Sequence, residues 1–259
     1  MSHLPLFDKG FPAYIKEIFG KVNVYWYQAE FTQSRYPPGQ EISEACTLIC
    51  LLVAQRISQL DLQIISIDSI SPFNAIIAEA IIEGNSIHSY IIKNKLISDP
   101  YLNAEEALQF GGKKLSPLKE WKFQVFHEHL DSSLFRNIKV FLYDWYRCPK
   151  SQNLFMLLIT CGRTILFTFQ QQIKVVTLFD SHGHSSERYP NRGLVVAQSL
   201  IEHLEELCKW YIRDVIHNCY QVVADQYELS CLYYQQQQPK KSNGCRECRC
   251  SATSKSINY

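Results

Sequence analysis

The chain has 259 residues, which suits one large domain or one domain with a small appendage. Apolar residues make up 46% and can supply a substantial core, while 26 Lys plus Arg against 25 Asp plus Glu leave a formal charge of +1. That balance gives no nucleic-acid signature, and no window reaches the ~20 apolar residues of a membrane span.

Met1 to Phe11 is broken by Pro5, Asp8 and Lys9, so we expect no secretory leader and a cytoplasmic or nuclear protein. The ten cysteines, several of them inside apolar runs (Cys50, Cys161, Cys208, Cys219), are then expected to be reduced thiols.

In chain order, Pro12 to Phe19 reads as a short helix and Val22 to Phe31 as a strand rich in Val, Tyr, Trp and Phe. Ser34 to Gln40, with Pro37-Pro38-Gly39, is a loop. Glu41 to Leu60 has helical spacing, with Ala45, Cys46, Ile49, Leu52, Val53 and Ile57 on one broad face and Ser43 as N-cap. A second helix starts at Ser71-Pro72 and is expected to break at Glu83-Gly84-Asn85. A third covers Ala104 to Phe110 and closes at Gly111-Gly112.

Lys139 to Trp145, Leu154 to Thr160, Thr164 to Phe169 and Ile173 to Phe179 read as strands, the last three joined by breaks short enough for hairpins. A long helix is expected over Leu194 to Ile216, and a strand over Tyr220 to Val223. Helices, a meander and a long helix make an α+β domain over 1–234. The polar segment 235–259, with Gln235 to Gln238 and a cysteine cluster, is expected to be a flexible tail.

Two features carry chemistry. Cys46 opens an apolar helix-like run, where the positive end of a helix favours a thiolate. Asp180-Ser181-His182-Gly183 follows a strand-like run, and strand alternation puts Asp180 and His182 on one side with Ser181 opposite. A thiol, an imidazole to take its proton and a carboxylate to orient the imidazole are the parts of a thiol protease. His184 competes with His182 for the role of base. Gln33 and Gln40 compete as the side-chain donor to a developing oxyanion, thirteen and six residues before Cys46.

Taken together these segments resemble the deubiquitinating thiol protease domain of the herpesvirus large tegument protein and related papain-like sequences. Thr32-Gln33 resembles its oxyanion element, Gly39 to Cys46 its nucleophile segment, Ile81 to Ile87 its helix and glycine turn, and Phe155 to Phe169 its paired strands. Leu178-Phe179-Asp180-Ser181-His182-Gly183 resembles its catalytic strand end, and Gly193-Leu194-Val195-Val196 its next element. Ala45 stands where that family usually has glutamine, and four extra residues separate Gly39-Gln40 from the nucleophile.

The resemblance implies a papain-like cysteine protease fold, a helical N-terminal part packed on a mostly antiparallel sheet. It also implies ubiquitin or a ubiquitin-like protein as partner. Cys46, His182, Asp180 and Gln33 would be the catalytic residues, with no cofactor and no metal. The alternative is a protease-like protein without catalysis that serves as an interaction scaffold, supported by aromatics expected to be exposed: Tyr25, Trp26, Tyr27, Tyr233 and Tyr234. In the tail, Cys245, Cys248 and Cys250 offer three thiols, one short of a structural zinc site; lipidation beside Lys240, Lys241, Arg246 and Arg249 is the other reading.

Overall fold

The computed structural model describes residues 4, 12–69 and 71–235. One antiparallel sheet of eight strands organises it, in the order β1-β2-β7-β6-β5-β4-β8-β3. The strands are β1 (Tyr14–Phe19), β2 (Val22–Gln28), β3 (Leu118–Phe126), β4 (Asn153–Thr160), β5 (Arg163–Gln170), β6 (Val175–Asp180), β7 (Arg192–Leu200) and β8 (Tyr227–Tyr234). The helices are α1 (Cys46–Gln59), α2 (Ser71–Lys93), α3 (Ala104–Phe110), α4 (Gly112–Leu115), α5 (Leu130–Arg147) and α6 (Leu204–Trp210).

The central strands are buried on both faces, so alternate residues feed two separate cores. Phe155, Leu157, Leu166, Phe179 and Val196 pack on the side of α1 to α4. Leu154, Met156, Leu158, Phe167, Leu178 and Val195 pack with α5 and α6 on the other. α1 is the most enclosed helix: every residue from Cys46 to Gln55 is buried, between β4 and β5 on one side and α2, α3 and α4 on the other.

Several sequence expectations are corrected here. The expected helix over Pro12 to Phe19 is absent. Residues 14–19 form β1, which pairs with β2 through Gly20-Lys21, and the positive φ of Gly20 (57°) provides the tight turn that a helical reading overlooks. Lys139 to Trp145 lies in α5, because the helical period begins upstream of it: Leu134, Ile138, Phe141, Leu142 and Trp145 lie at helical spacing and are all buried.

Gly84 does not end α2. A Cβ there would sit 2.6 Å from Cγ1 of Ile49, so the glycine lets α2 cross close against α1. Leu194 to Leu200 lies in strand β7, and α-helix begins only at Leu204, after a 3-10 turn over Ile201–His203; a strand buried on both faces carries the same continuous apolar run as a buried helix. Tyr220 to Val223 is irregular, whereas β3 and β8 are strands that the sequence reading lacked. Ser43 is not the N-cap of α1; that position is Ala45, with no side-chain cap. Tyr25, Trp26 and Tyr27 are core residues at 1%, 0% and 0% exposure, while Tyr233 and Tyr234 are half-buried.

Of the tail, only Gln235 is described, and its N–H donates to the Pro117 carbonyl. The Cys245, Cys248 and Cys250 cluster lies outside the described residues.

Candidate active site

The site forms where the start of α1 meets the end of β6. Cys46 is the first residue of α1, and the first turn carries neither an acidic residue nor a side-chain cap, so nothing offsets the positive end of the helix there. Thr47 fixes the helix start laterally: its hydroxyl donates to the Leu102 carbonyl (2.8 Å) and lies 2.8 Å from the Thr164 hydroxyl of β5.

Asp180 ends β6 and is fully buried. Its Oδ1 accepts from the ring Nδ1 of His182 (2.6 Å) and from the His182 backbone N–H (3.0 Å). Its Oδ2 accepts from the hydroxyls of Tyr220 (2.9 Å) and Tyr211 (3.3 Å), and Nε2 of His184 lies 3.3 Å away. Burial alone would push this carboxyl up, but the charges of His182 and His184 and their hydrogen bonds hold it well below the usual carboxylate range.

With Nδ1 turned to Asp180, His182 lies close enough to Cys46 for each group to shift the other's titration. Burial favours the neutral imidazole, but the Asp180 carboxylate, its hydrogen bond and then Cys46 raise the His182 pKa to about 10. The Cys46 thiol, 3% exposed, is likewise pushed up by burial; the hydrogen bond from His182 and its charge outweigh that and bring it below its ordinary value, with Thr164 adding to the effect. The two shifts run in the direction that favours thiolate and imidazolium, the nucleophilic form of a cysteine. Cys50, one turn further along α1, is the opposite case: burial, and then the charges of Cys46 and Asp180, push it well above its ordinary value. Its thiol donates to the Thr164 carbonyl instead.

Ser181 points away from this pair into a ring of buried polar groups. Its hydroxyl donates to Oε1 of Gln33 (2.7 Å), and its carbonyl accepts from the Gln33 backbone N–H (2.9 Å). Gln33 Nε2 donates to the Ser43 carbonyl (2.6 Å) and the Asn85 side chain to the Gln33 carbonyl (2.8 Å). The Ser43 hydroxyl closes the ring by donating to Asn85 Oδ1 (2.6 Å) and accepting from the Ala45 N–H (3.1 Å). The loop before α1 is therefore tied both to α2 and to the end of β6. Gln40 stands outside this ring, with its side chain donating to the adjacent Glu41 carbonyl (3.0 Å).

The structure thus brings Cys46, His182 and Asp180 together, sets Gln33 beside them in the supporting ring, and leaves Gln40 apart. His184 meets Asp180 from the other side, with Nδ1 donating to the Gly193 carbonyl (2.8 Å). The sequence reading missed Tyr211 and Tyr220. Tyr211 opens a stretch of π-helix, Tyr211–His217, which continues α6, Tyr220 follows it, and nothing in their local sequence links them to a carboxylate at 180.

No protein-family model matches the sequence, and no curated protein matches it. Among solved structures, the chain matches the ubiquitin-specific protease encoded by the murine cytomegalovirus tegument protein M48, determined in complex with a ubiquitin-based suicide substrate. That match has a TM-score of 0.51 and 12% identity, and covers 83% of this chain and 88% of that one. The fold is similar to that of the M48 protease. The Pseudomonas avirulence protein AvrPphB also matches, over 74% of this chain and 95% of that one at 12% identity, but its TM-score of 0.37 is too low to bear on the reading.

Among the described residues no helix is long and apolar enough to cross a membrane.

Proposed function

We propose that the chain is a thiol protease or isopeptidase acting on ubiquitin or a ubiquitin-like modifier. The observation that carries this reading is the Cys46–His182–Asp180 arrangement, in which a thiol at a helix start is polarised by an imidazole that a buried carboxylate orients. The similarity of fold to the M48 protease supports the choice of modifier.

In this mechanism the Cys46 thiolate attacks the carbonyl carbon of the scissile bond. The negative charge that builds on the carbonyl oxygen is met by the Cys46 N–H and by the Gln33 amide N–H that the Ser43 carbonyl does not hold. His182 then gives its proton to the leaving amine, and a water molecule deprotonated by His182 releases the acyl group. Asp180 keeps Nδ1 of His182 protonated throughout, so that Nε2 faces the reaction.

A second reading is a protease-like scaffold without turnover. It is favoured by the 3% exposure of Cys46 and by the commitment of one Gln33 N–H to Ser43. The deciding experiment is steady-state hydrolysis of ubiquitin and ubiquitin-like modifiers carrying a fluorogenic C-terminal amide. Turnover that Cys46→Ala abolishes supports the protease; wild-type protein that binds a modifier and cleaves none supports the scaffold.

A further inference from the structure

The catalytic reading uses one oxygen of Asp180, and three further groups converge on the other. Nδ1 of His184 faces the Gly193 carbonyl, which can only accept, so Nδ1 carries a proton. The ring's other nitrogen, Nε2, lies 2.9 Å from the Tyr220 hydroxyl, and that same hydroxyl donates to Asp180 Oδ2 at 2.9 Å. Tyr220 is thus held at a fork between imidazole and carboxylate.

Its ring is fixed as firmly as its hydroxyl. It stacks on His184 at 27° with centroids 5.4 Å apart, and the Arg163 guanidinium covers it at 3.9 Å. The group these contacts serve is a buried carboxylate that must keep one oxygen in line with Nδ1 of His182. A carboxylate without such constraint rotates about its last torsion, which is broad.

We propose that Tyr220, held in register by His184, is a positioning residue that locks the plane of the Asp180 carboxylate so that one oxygen stays aimed at Nδ1 of His182. The proposal rests on Cys46, His182 and Asp180 acting as described above. The titratable and charged groups around Asp180 are His182 and His184 from its own segment, Tyr211, Cys219 and Tyr220 from the widened helix and the turn after it, Cys46 and Cys50 from α1, and Arg163 over the Tyr220 ring.

Tyr220→Phe tests this, because it removes the hydroxyl and keeps the ring. Two quantities are read on the full-length protein: kcat and KM on the fluorogenic modifier, and the pH midpoint of iodoacetamide alkylation at Cys46, followed by peptide mass spectrometry. A locked carboxylate predicts that kcat falls roughly tenfold with KM unchanged, the effect of losing one charge-assisted hydrogen bond. It also predicts that the Cys46 midpoint rises by about one pH unit, as His182 becomes less well held.

A role limited to the field of the hydroxyl gives the opposite sign, since removing a donor from the carboxylate makes the site more negative and favours the imidazolium. Wild-type kcat together with an unchanged or lowered midpoint therefore overturns the proposal. His184→Asn, which keeps a donor for the Gly193 carbonyl and removes Nε2, is expected to move both readouts the same way and serves if Tyr220→Phe does not fold. If the wild type cleaves no modifier, the proposed activity fails by itself, and the alkylation midpoint still decides whether Tyr220 positions Asp180.

Discussion

Gly193 offers a sharp test of how the site is supported. A Cβ at this position would lie 2.1 Å from the Gln28 carbonyl oxygen and 2.8 Å from that of Phe31. Neither is the mobile end of a side chain: the Gln28 oxygen accepts the Phe31 N–H (2.9 Å) and the Phe31 oxygen the Leu194 N–H (2.9 Å), where β2 leaves its partner β7 through an irregular register. Gly193→Ala therefore has to displace backbone. Two hydrogen bonds at about 1 kcal/mol each, with an overpacking cost of about 1–3 kcal/mol, give a loss of about 3–5 kcal/mol. For a domain of this size that lowers Tm by about 6–20 °C in a circular-dichroism melt. Gly183→Ala is the control, because its Cβ would meet only Thr32 Cγ2 at 3.6 Å and the Arg192 oxygen at 3.8 Å, both ordinary contacts. It should melt within about 2 °C of wild type. A Gly193→Ala protein as stable as the control would refute the close approach of β7 to the 28–31 turn, and with it the placement of the carbonyl that holds His184.

Gln33→Ala should slow turnover by about 10²-fold with little change in KM, the mark of a donor used in the transition state. Because it also leaves the Ser43 carbonyl and Ser181 hydroxyl without their partner, it should melt earlier; an unchanged Tm would contradict the buried ring. Asp180→Asn should retain more activity than His182→Ala, since packing and the Tyr211 and Tyr220 hydroxyls still hold the side chain at 180 whereas nothing replaces the base; the reverse order in kcat would exchange their roles. The pH profile of kcat/KM should have its alkaline limb near the His182 value of about 10, where the proton for the leaving group is lost. The same shift makes a stability statement. Because the folded value is raised above the ordinary 6.5, the stabilisation from charged His182 is complete below about pH 6.5 and disappears as pH rises toward 10. Wild-type Tm should therefore fall more than that of His182→Ala between pH 7 and 10.

How far the sequence could be read follows from the range of each signal. β4 and β5 were legible because short turns and continuous Leu, Ile and Phe runs are local. So was α3 over Ala104 to Phe110; its capping box, in which Asn103 accepts from the Glu106 N–H and Glu106 reaches back to the Asn103 N–H, was not read. The Asp180-Ser181-His182 alternation was legible for the same reason: one pleat sends Ser181 to Gln33 and the other two side chains to each other. β7 was not, since burial on both faces removes the period that separates strand from helix. Gly84 misled because a glycine that admits a neighbouring helix looks the same in sequence as one that ends a helix. Tyr211 and Tyr220 reach Asp180 across 31 and 40 residues of chain, and only the fold links them to it.

The most direct test of the central claim is the mass of the full-length protein after incubation with ubiquitin bearing a C-terminal electrophile. The account predicts one adduct, mapped by peptide sequencing to Cys46, absent from Cys46→Ala and strongly slowed in His182→Ala. The exposed Cys148 and Cys161 should stay unmodified, because neither belongs to the Cys46–His182–Asp180 site. An adduct on either of them, or equal labelling of Cys46→Ala and wild type, would contradict it.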